Sequence, residues 1–389
     1  MRILILTPRV PWPLLDGGRI AMARLAQALA KHAEVRVLSL NPRKHRATLD
    51  DIPLPIEAID IDTSRVIGPL ITALGATPFI VARFVSRAFE QRLIETLREF
   101  NPDVVQIESP FLLPYAETIR AHSDARVVLR SLNVEFRIWE ELARTKHSLL
   151  ARLVANSLRR YEVRHLDTCD ALIPISHDDA NDFRALGCTK PIHVAPCGVP
   201  LPPLGDAEPE DDTVGFIGAL DYLPNQQAAL WIHDELRPRL PDVKLTISGS
   251  NPPAWLRERV HAITAPDAQQ FMRSQSVMIA PLLSGGGMRI KVLEAMALGK
   301  AMVATTRGAG GIDFTPGREV VIADDADAFA DAVVRLLNDP DERRRLGDAA
   351  RAQVAARYDP DIIGRDLLAF YETGINASTA RANQNHARP

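Results

Sequence analysis

Short, almost continuously apolar runs alternate with longer segments of helical periodicity through the first 200 residues. The runs predict strands at 2–7, 34–40, 55–61, 103–108, 125–131, 171–176 and 191–197. The longer segments predict helices, notably at 18–32, around 80–100 and near 136–166. Strands separated by helices of this length indicate βαβ units and a parallel sheet. Unbroken apolar runs are typical of strands that helices cover on both faces.

The same alternation resumes after a change of composition. Residues 198–212 hold four prolines and five acidic residues without periodicity, which is typical of a linker between domains. The runs that follow predict strands at 213–220, 243–249, 276–282, 301–306 and 319–325, with a helix from about 225. From 328 onward the pattern is helical, and the polar stretch from about 375 is expected to be disordered.

These patterns predict an α/β protein with two doubly wound, Rossmann-like domains. The expected division is a first domain over 1–199, a linker over 200–212, a second domain over 213–357, a C-terminal helix over 358–374 and a tail over 375–389. The two halves show no evident sequence repeat. The carboxyl ends of two open parallel sheets are expected to border a cleft, where proteins of this class bind ligands.

Composition and charge agree with a globular protein of two domains. A chain of 389 residues exceeds the size of one ordinary core. Its 46% hydrophobic and 24% charged residues exclude a disordered, collagenous or multi-span membrane protein. The formal net charge of −3 provides no general attraction for nucleic acid. Any anion must therefore be bound by a local site.

The cysteines and the N-terminus favour a cytoplasmic protein. The sequence has three cysteines, Cys169, Cys188 and Cys197, and no two of them form a C-x-x-C pair. We therefore expect neither a disulfide framework nor a zinc site. The first apolar run, residues 3–6, is too short for the core of a signal peptide. A reducing cytoplasm is the compartment that fits best.

Two segments are candidates for peripheral contact with the inner face of the cell membrane. Glycines, prolines and Arg83 interrupt the apolar segment 67–85, so we do not expect it to span a bilayer. One alternative is a helix on the membrane surface with Arg83, Arg87 and Arg92 near the headgroups, although packing within the first domain is favoured. The arginine-rich stretch 137–164 faces either an anionic lipid surface or solvent, and a solvated helix face is favoured.

The stretch 284–300, SGGGMRIKVLEAMALGK, carries the clearest binding chemistry. Three glycines follow a predicted strand and precede a helix that Gly299 can terminate. Such a turn exposes backbone N–H groups that suit a phosphate. Arg289 and Lys291 place two cations in the first helical turn, where the helix dipole disfavours them unless an anion binds. Glu294 is positioned to accept hydrogen bonds from ribose hydroxyls. The alternative is an ordinary tight turn with surface charges.

Several segments resemble the GT-B glycosyltransferases of the large retaining family known as glycosyl transferases group 1. They occur in the family's order and are DGGR (16–19), ALIPISHDDANDF (171–183), VAPCGV (194–199), VGFIGALDYLPN (214–225), ISGSNP (247–252) and SGGGMRIKVLEAMALGKAMVATTRGAGGI (284–312). The motifs of the second domain are specific and those of the first are loose. The branch that looks most similar contains bacterial sugar transferases of exopolysaccharide or envelope assembly.

The resemblance implies transfer of a sugar from a nucleotide-diphosphate sugar to a hydroxyl acceptor, with retention of configuration and without a metal or other cofactor. It implies that the second domain binds the donor and the first domain the acceptor, which stays open between a protein, a lipid-linked saccharide and a growing polysaccharide. Tyr358 would begin the segment that returns to the first domain. Donor contacts are implied for Gly218, Gly249, Gly285, Gly286, Gly287, Met288 and Glu294.

This sequence departs from the family pattern at two places in the second domain. The family often carries a glutamate eight residues before the second conserved one, and Gly286 stands at that position. It also often carries an arginine and a lysine five residues apart after the strand that opens the second domain, where this chain has Ala219 and Pro224. We therefore expect Arg289 and Lys291 to supply the catalytic positive charge that faces the diphosphate.

Four residues of the first domain are candidates for contacts with substrate. Gly17 and Gly18 would let the backbone approach a donor phosphate, because no Cβ stands in the way; an ordinary βα turn is the alternative. Arg19 either reaches the same phosphate or begins the helix in solvent. Glu108, at the carboxyl end of a strand, is the candidate catalytic carboxylate for a contact with the sugar or the acceptor.

Two further patterns are weaker. Asn133 and Glu135 resemble part of the family's H-N-x-E signature, with Leu132 in place of the histidine, and either a structural or a site role is open. The D-x-D at Asp60 and Asp62 is interpreted as surface acid and not as a metal site.

Other functions on a similar scaffold fit less well. A non-hydrolysing sugar-nucleotide epimerase needs acid–base pairs that the sequence does not show. A nicotinamide dehydrogenase would carry G-x-G-x-x-G after the first strand, and this motif is missing there. An inactive sugar-nucleotide-binding homologue stays open because of Gly286.

Overall fold

The computed structural model describes residues 1–64, 77–204 and 212–375. Its contacts divide the chain into two compact units. Unit 1 consists of Met1–Gly198 together with the chain from Pro360 onward, and unit 2 of Val199–Asp359. Three predicted features lie partly outside the described residues: the apolar segment (65–76), the linker (205–211) and the disordered tail (376–389).

Unit 1 is built around a parallel sheet. Its strands are β1 (Arg2–Thr7), β2 (Glu34–Pro42), β3 (Ile56–Ile61), β4 (Val104–Ile107), β5 (Arg126–Ser131) and β6 (Ala171–Pro174). They are ordered β3-β2-β1-β4-β5-β6, and Ile3 pairs with Val35 on one side and Val104 on the other. The direction of strand addition reverses between β1 and β4, which is where doubly wound sheets bind ligands.

Helices and a C-terminal π-helical segment accompany this sheet. They are α1 (Gly17–Ala30), α2 (Phe79–Ala82), α3 (Arg87–Phe100), α4 (Ala116–His122), α5 (Glu135–Thr145), α6 (Leu149–His165), α7 (His177–Ala185), α14 (Pro360–Ala369) and the π-helical Phe370–Gly374. Short 3₁₀ helices cover Arg43–His45 and Pro110–Tyr115.

Unit 2 contains a second parallel sheet. Its strands are β7 (Thr213–Ile217), β8 (Lys244–Ser248), β9 (Ala262–Ile263), β10 (Val277–Ala280), β11 (Ala301–Ala304) and β12 (Val321–Ile322). Its helices are α8 (Leu223–Trp231), the π-helical Ile232–Leu236, the 3₁₀ Arg237–Arg239, α9 (Ala254–Arg257), α10 (Ala268–Arg273), α11 (Ile290–Ala297), α12 (Ala326–Asn338) and α13 (Pro340–Arg357).

The two sheets have the same topology although the sequences of the two halves show no repeat. The order in unit 2 is β12-β11-β10-β7-β8-β9, so its first and fourth strands, β7 and β10, are neighbours, as β1 and β4 are in unit 1. The predicted pair of doubly wound α/β domains is confirmed. Each unit therefore has one switch point at the carboxyl ends of its central strands.

Two predicted elements of unit 1 were wrong in detail. The single helix near 136–166 is two helices, because the chain turns at His147 with a φ of +47° and the Ser148 side chain caps α6 by accepting from the Ala151 N–H at 3.2 Å. The strand predicted at 191–197 is reduced to a single bridge between Leu172 and Ile192. Prolines in that stretch lack the N–H group that a longer ladder requires.

The C-terminal helix α14 belongs to unit 1 and packs against α1. A Cβ on Gly364 would lie 3.0 Å from the Ala28 carbonyl oxygen, so the two helices meet at their backbones. Beyond α14, Tyr371 is fully buried and donates a hydrogen bond to Gln106 of β4. The last described turn therefore forms part of the unit 1 core.

In the described residues, no helix combines the length and the apolar character that crossing a bilayer requires.

Candidate functional site

The glycine turn after β10 adopts backbone conformations that only glycine tolerates well. Gly285 has a φ of +96° and Gly287 a φ of +69°, and L-residues rarely adopt such values. A Cβ on Gly285 would also lie 3.0 Å from Cγ of Pro224. Gly286 is exposed between them. The turn leads into α11, so its backbone lies at the amino end of a helix.

Arg289 is buried beneath this turn and holds its shape. Its guanidinium donates to the carbonyl oxygens of Gly285 (2.6 Å), Gly286 (2.9 Å) and Ser284 (3.2 Å). Nε donates to the Arg307 carbonyl at 3.2 Å and so joins the turn to the loop after β11. The supply of charge to a bound diphosphate stays a prediction for Arg289, and these hydrogen bonds show that it braces the turn.

Lys291, the second cation of the stretch, contacts one polar and one aromatic side chain. Its Nζ donates to Asn225 Oδ1 at 2.6 Å and lies 4.6 Å from the ring centroid of Phe216. Burial, together with the nearby Arg289 charge, lowers the pKa of Lys291 to about 7. An anion bound beside Lys291 would favour the charged form that burial disfavours.

Two glycines stand where a side chain would not fit, just after β7 and β8. A Cβ on Gly218 would lie 2.6 Å from Nζ of Lys291 and 2.8 Å from the amide of Asn225. A Cβ on Gly249 would lie 2.3 Å from the Gly218 carbonyl oxygen. The end of β7 therefore lies against the Lys291 and Asn225 side chains, and the end of β8 against the end of β7. Donor contact at Gly218 and Gly249 stays a prediction.

Asn225 is the residue of this cluster that sequence reasoning missed. It stands near the start of α8, is buried, and donates from Nδ2 to the Ala219 carbonyl at 2.8 Å while accepting from Lys291. Nearby, Ser284 donates from its hydroxyl to Gln227. The signal was present in the quoted stretch VGFIGALDYLPN, whose last residue is this asparagine.

The remaining predicted donor residues lie on the same edge of unit 2. Met288 is partly buried in the cluster behind the turn, and a Cβ on Gly311 would lie 2.9 Å from its Cα. Glu294 follows Lys291 by three residues on α11 at intermediate exposure. We define the donor cluster as 218–219, 225, 249, 285–289, 291 and 294.

The glycine turn of unit 1, at the start of α1, lies next to two arginines. Asp16 caps the helix by accepting from the Arg19 N–H at 3.1 Å, and Arg9 donates to the same carboxylate at 2.7 Å. Gly17 is exposed, and a Cβ on Gly18 would lie 2.9 Å from Nη2 of Arg9. These residues follow β1, at the switch point of unit 1.

Arg19 is buried and not solvated. Nη2 donates to the His45 carbonyl at 3.2 Å, while Nε finds no hydrogen-bond partner within the described part of the chain. Burial and the nearby charge of Arg9 lower the pKa of Arg19. Two arginines thus share the single carboxylate of Asp16 beside an exposed glycine.

Glu108 is buried in an ion pair and not on the surface. Its carboxylate accepts from Arg130 Nη1 at 2.8 Å and from Gln106, and both charged side chains are 0% exposed. Burial raises the pKa of Glu108, and the Arg130 charge opposes this effect. Contact of Glu108 with a sugar or acceptor stays a prediction, and the ion pair gives the carboxylate a structural partner instead.

Glu135 lies at the start of α5 beside a second acid. Glu162 is buried and accepts from the backbone N–H groups of Glu135 (3.1 Å) and Phe136 (2.9 Å). Burial, with the Glu162 charge, raises the pKa of Glu135 to about 8, and burial raises that of Glu162 to about 7. This arrangement assigns Glu162 to capping; a site role for Asn133 and Glu135 is still a prediction.

Replacing Glu135 with glutamine is expected to flatten the pH dependence of stability. A carboxyl group whose pKa is higher in the folded state stabilises it at acidic pH, and this contribution is lost as the pH rises through about 8. The wild-type free energy of unfolding should fall between pH 5 and 8 by at most about 1.4 kcal/mol per pH unit from this group. Urea unfolding of Glu135→Gln and of an exposed-site control, Glu95→Gln, would test this. An unchanged slope in Glu135→Gln would contradict it.

The D-x-D acids are engaged with neighbouring side chains. Asp60 accepts from Arg46 and from Asn41 (3.1 Å), and Asp62 accepts from the Ser64 N–H at 3.0 Å. Among the residues that the structure describes, no group of three or more His, Cys, Asp or Glu side chains is arranged to hold a metal ion.

Two family models match the chain. A model described as Glycosyltransferase Family 4 matches residues 15–201, and one described as Glycosyl transferases group 1 matches 211–339. Together the two models match more than half of the chain.

Curated relatives match over part or nearly all of their length. The phosphatidyl-myo-inositol mannosyltransferase of Mycolicibacterium smegmatis is 35% identical over 187 residues, which are 44% of this chain and 48% of that protein. This match spans about half of the relative's length. An uncharacterized 44.6 kDa protein in the cps region of Klebsiella pneumoniae is 22% identical over 92% of this chain and 96% of that protein.

Solved structures share the fold at low identity. Sucrose-phosphate synthase from Thermosynechococcus elongatus has a TM-score of 0.70 at 16% identity, covering 97% of this chain and 100% of that one. Anabaena HepE in complex with UDP has a TM-score of 0.67 at 16% identity, covering 96% and 100%.

Proposed function

Since this chain belongs to the group 1 glycosyltransferases and has their GT-B fold, we propose that it transfers a sugar from a nucleoside-diphosphate sugar to a hydroxyl acceptor of the cell envelope, with retention and without a metal. The observation that carries the donor assignment is the Lys291 ammonium group, held against Asn225 and the Phe216 ring in the first turn of α11, which the glycine turn precedes. HepE, of the same fold, is described as binding UDP and UDP-glucose, which supports this donor class.

Breaking the bond between the sugar and the diphosphate leaves negative charge on the diphosphate oxygens. In the donor cluster, Lys291 supplies a positive charge once the diphosphate favours its protonated form, and the turn braced by Arg289 supplies backbone dipoles at the amino end of α11. Groups that are already oriented toward the developing charge lower the barrier without reorganising. This chemistry is the reason for proposing that the protein itself, and not a metal, neutralises the leaving group.

The acceptor side is proposed to lie in unit 1. Separately from the acceptor, the exposed backbone at Gly17 and the arginine pair of Arg9 and Arg19 support the predicted binding of a donor phosphate at the switch point after β1. Relatives named as phosphatidyl-myo-inositol mannosyltransferases act, by their names, on a phosphate-bearing lipid, which supports an envelope acceptor for this chain.

Donor binding and turnover test the proposal directly. Thermal shift with UDP-, GDP-, ADP- and TDP-sugars should show one class that raises the melting temperature, since a ligand of the native state stabilises it. The same donor, labelled in the sugar, should then release its nucleotide, at a rate that EDTA does not change. NMR of the product should show the anomeric configuration of the donor. Absence of both stabilisation and nucleotide release with every donor would refute the proposal.

Donor affinity is expected to weaken as the pH rises above about 7. Free Lys291 has a pKa of about 7, and a bound diphosphate favours its charged form, so binding takes up a proton at higher pH. The Kd for the donor should increase by up to about tenfold per pH unit between pH 7 and 9. Calorimetric titration in buffers of different ionisation heat measures this proton uptake. The Lys291→Met variant is the control, and its Kd should not depend on pH in this range.

A further inference from the structure

Helix α6 of unit 1 begins with leucines that point into solvent. Leu149, Leu150 and Leu153 are 77%, 72% and 66% exposed. Leu149 and Leu153 are one turn apart on the same face, and Leu150 is adjacent. The face that packs on unit 1 carries the buried Ala151 and Ala155 instead. In these turns the larger apolar side chains face away from the core. A helix that only packs on a core normally turns its larger apolar side chains toward it.

The surroundings of these leucines are strongly basic. The sequence from 142 to 161 has no acidic residue, and its five cations are Arg144, Lys146, Arg152, Arg159 and Arg160, all of them exposed. Two acids border this stretch: Glu141 on α5 lies 3.9 Å from Arg144, and Glu162 on α6 is buried. A contiguous apolar patch bordered by cations is typical of a helix that lies at the interface of an anionic membrane.

We propose that this leucine tip, defined as Leu149, Leu150 and Leu153 with Arg144, Lys146 and Arg152, docks on an anionic phospholipid surface. The leucines enter the boundary between headgroups and acyl chains, and the cations pair with lipid phosphates. The link between docking and catalysis rests on the proposed function, because a lipid-linked acceptor would lie in the membrane on which the leucine tip docks. The docking itself depends only on exposure and charge.

Sedimentation with vesicles tests the docking in the full-length chain. The wild-type protein should bind vesicles of phosphatidylglycerol and phosphatidylcholine, and it should bind pure phosphatidylcholine far more weakly. Replacing the three leucines with serine should lower the partition coefficient at least about tenfold, since apolar burial is lost. Replacing the three cations with glutamine should lower it about fivefold per charge, and added salt should have a similar effect.

A matched control carries Trp255→Ser and Val334→Ser, which are exposed apolar residues of unit 2 at 49% and 40%. This variant should bind vesicles as the wild type does. All replaced side chains of the leucine tip are exposed, so the variants should keep the wild-type melting temperature, and that measurement confirms that they fold.

The proposal would be overturned if the wild type did not bind anionic vesicles, or if the leucine variant bound them as well as the wild type does. It would also be overturned if light scattering showed that the wild type is a dimer and that the leucine variant is a monomer. The last result would assign the tip to contact between two copies of the chain. Vesicle binding needs no turnover, so its failure is distinct from a failure of the proposed function. Nucleotide release from the donor, measured without vesicles, should be the same in the wild type and the leucine variant.

Discussion

Replacing Lys291 with methionine is expected to lower kcat/KM for the nucleotide-sugar donor about 100- to 1,000-fold. Removal of one charge or donor aimed at developing negative charge typically costs this much. Methionine fills a similar volume beside Phe216 but supplies no charge, so the loss isolates the electrostatic contribution. Steady-state kinetics of nucleotide release, with the donor that thermal shift identifies, measures the effect.

The stability of this variant should move in the opposite direction. Because burial lowers the pKa of Lys291, the charged side chain costs free energy in the unliganded fold. The melting temperature of Lys291→Met should therefore equal or exceed that of the wild type. Lys244→Met, at an exposed position at the start of β8, is the control and should leave kinetics unchanged. Near-normal turnover by Lys291→Met would remove the central support for the donor cluster.

Replacing Arg289 with lysine is expected to lower kcat/KM about 100-fold although the charge is kept. Lysine cannot donate to the carbonyls of Ser284, Gly285, Gly286 and Arg307 from one planar group, so the turn loses its shape. Carbonyl groups left without a donor should lower the free energy of unfolding by about 2 kcal/mol. Donor kinetics and urea unfolding measure the two effects together.

Arg259→Lys is the matched control, because Arg259 is exposed and donates to Asp234 at 2.9 Å. It should change neither the kinetics nor the free energy of unfolding by more than about 0.5 kcal/mol. If Arg289→Lys kept wild-type donor affinity, Arg289 would act through its charge alone and its bracing role would be wrong.

Periodicity predicted the architecture because strands of a doubly wound sheet are apolar on both faces and glycine or proline punctuates their ends. Two details escaped it for local reasons. His147 adopts a positive φ that no composition rule signals, so the break between α5 and α6 was missed. The two-residue strand β9 is too short to carry a pattern.

The sequence predicted the site residues that lie close together along the chain. It did not predict the contacts between residues that are far apart in the sequence. The glycine turn and its two cations lie within eight residues of sequence, whereas Asn225 reaches Lys291 across 66 residues. The bracing role of Arg289 depends on the direction of its side chain, and the spacing of residues in the sequence does not determine that direction. Glu108 was judged by its place at a strand end, and the buried Arg130 that pairs with it lies on the next strand of the sheet.

The return of the chain to unit 1 at its end affects how the protein is made. Tyr371 and Leu367 fill positions in the interior beside β1 and β4, and a Cβ on Gly198 would lie only 2.7 Å from Cα of Pro360. When the ribosome has synthesised only the first 198 residues, the side chains from 360 onward that complete the unit 1 core are still missing. The amino-terminal half must wait, incompletely packed, until all of the carboxyl-terminal half has been synthesised, and a fragment cut at Gly198 would expose an apolar surface that invites aggregation.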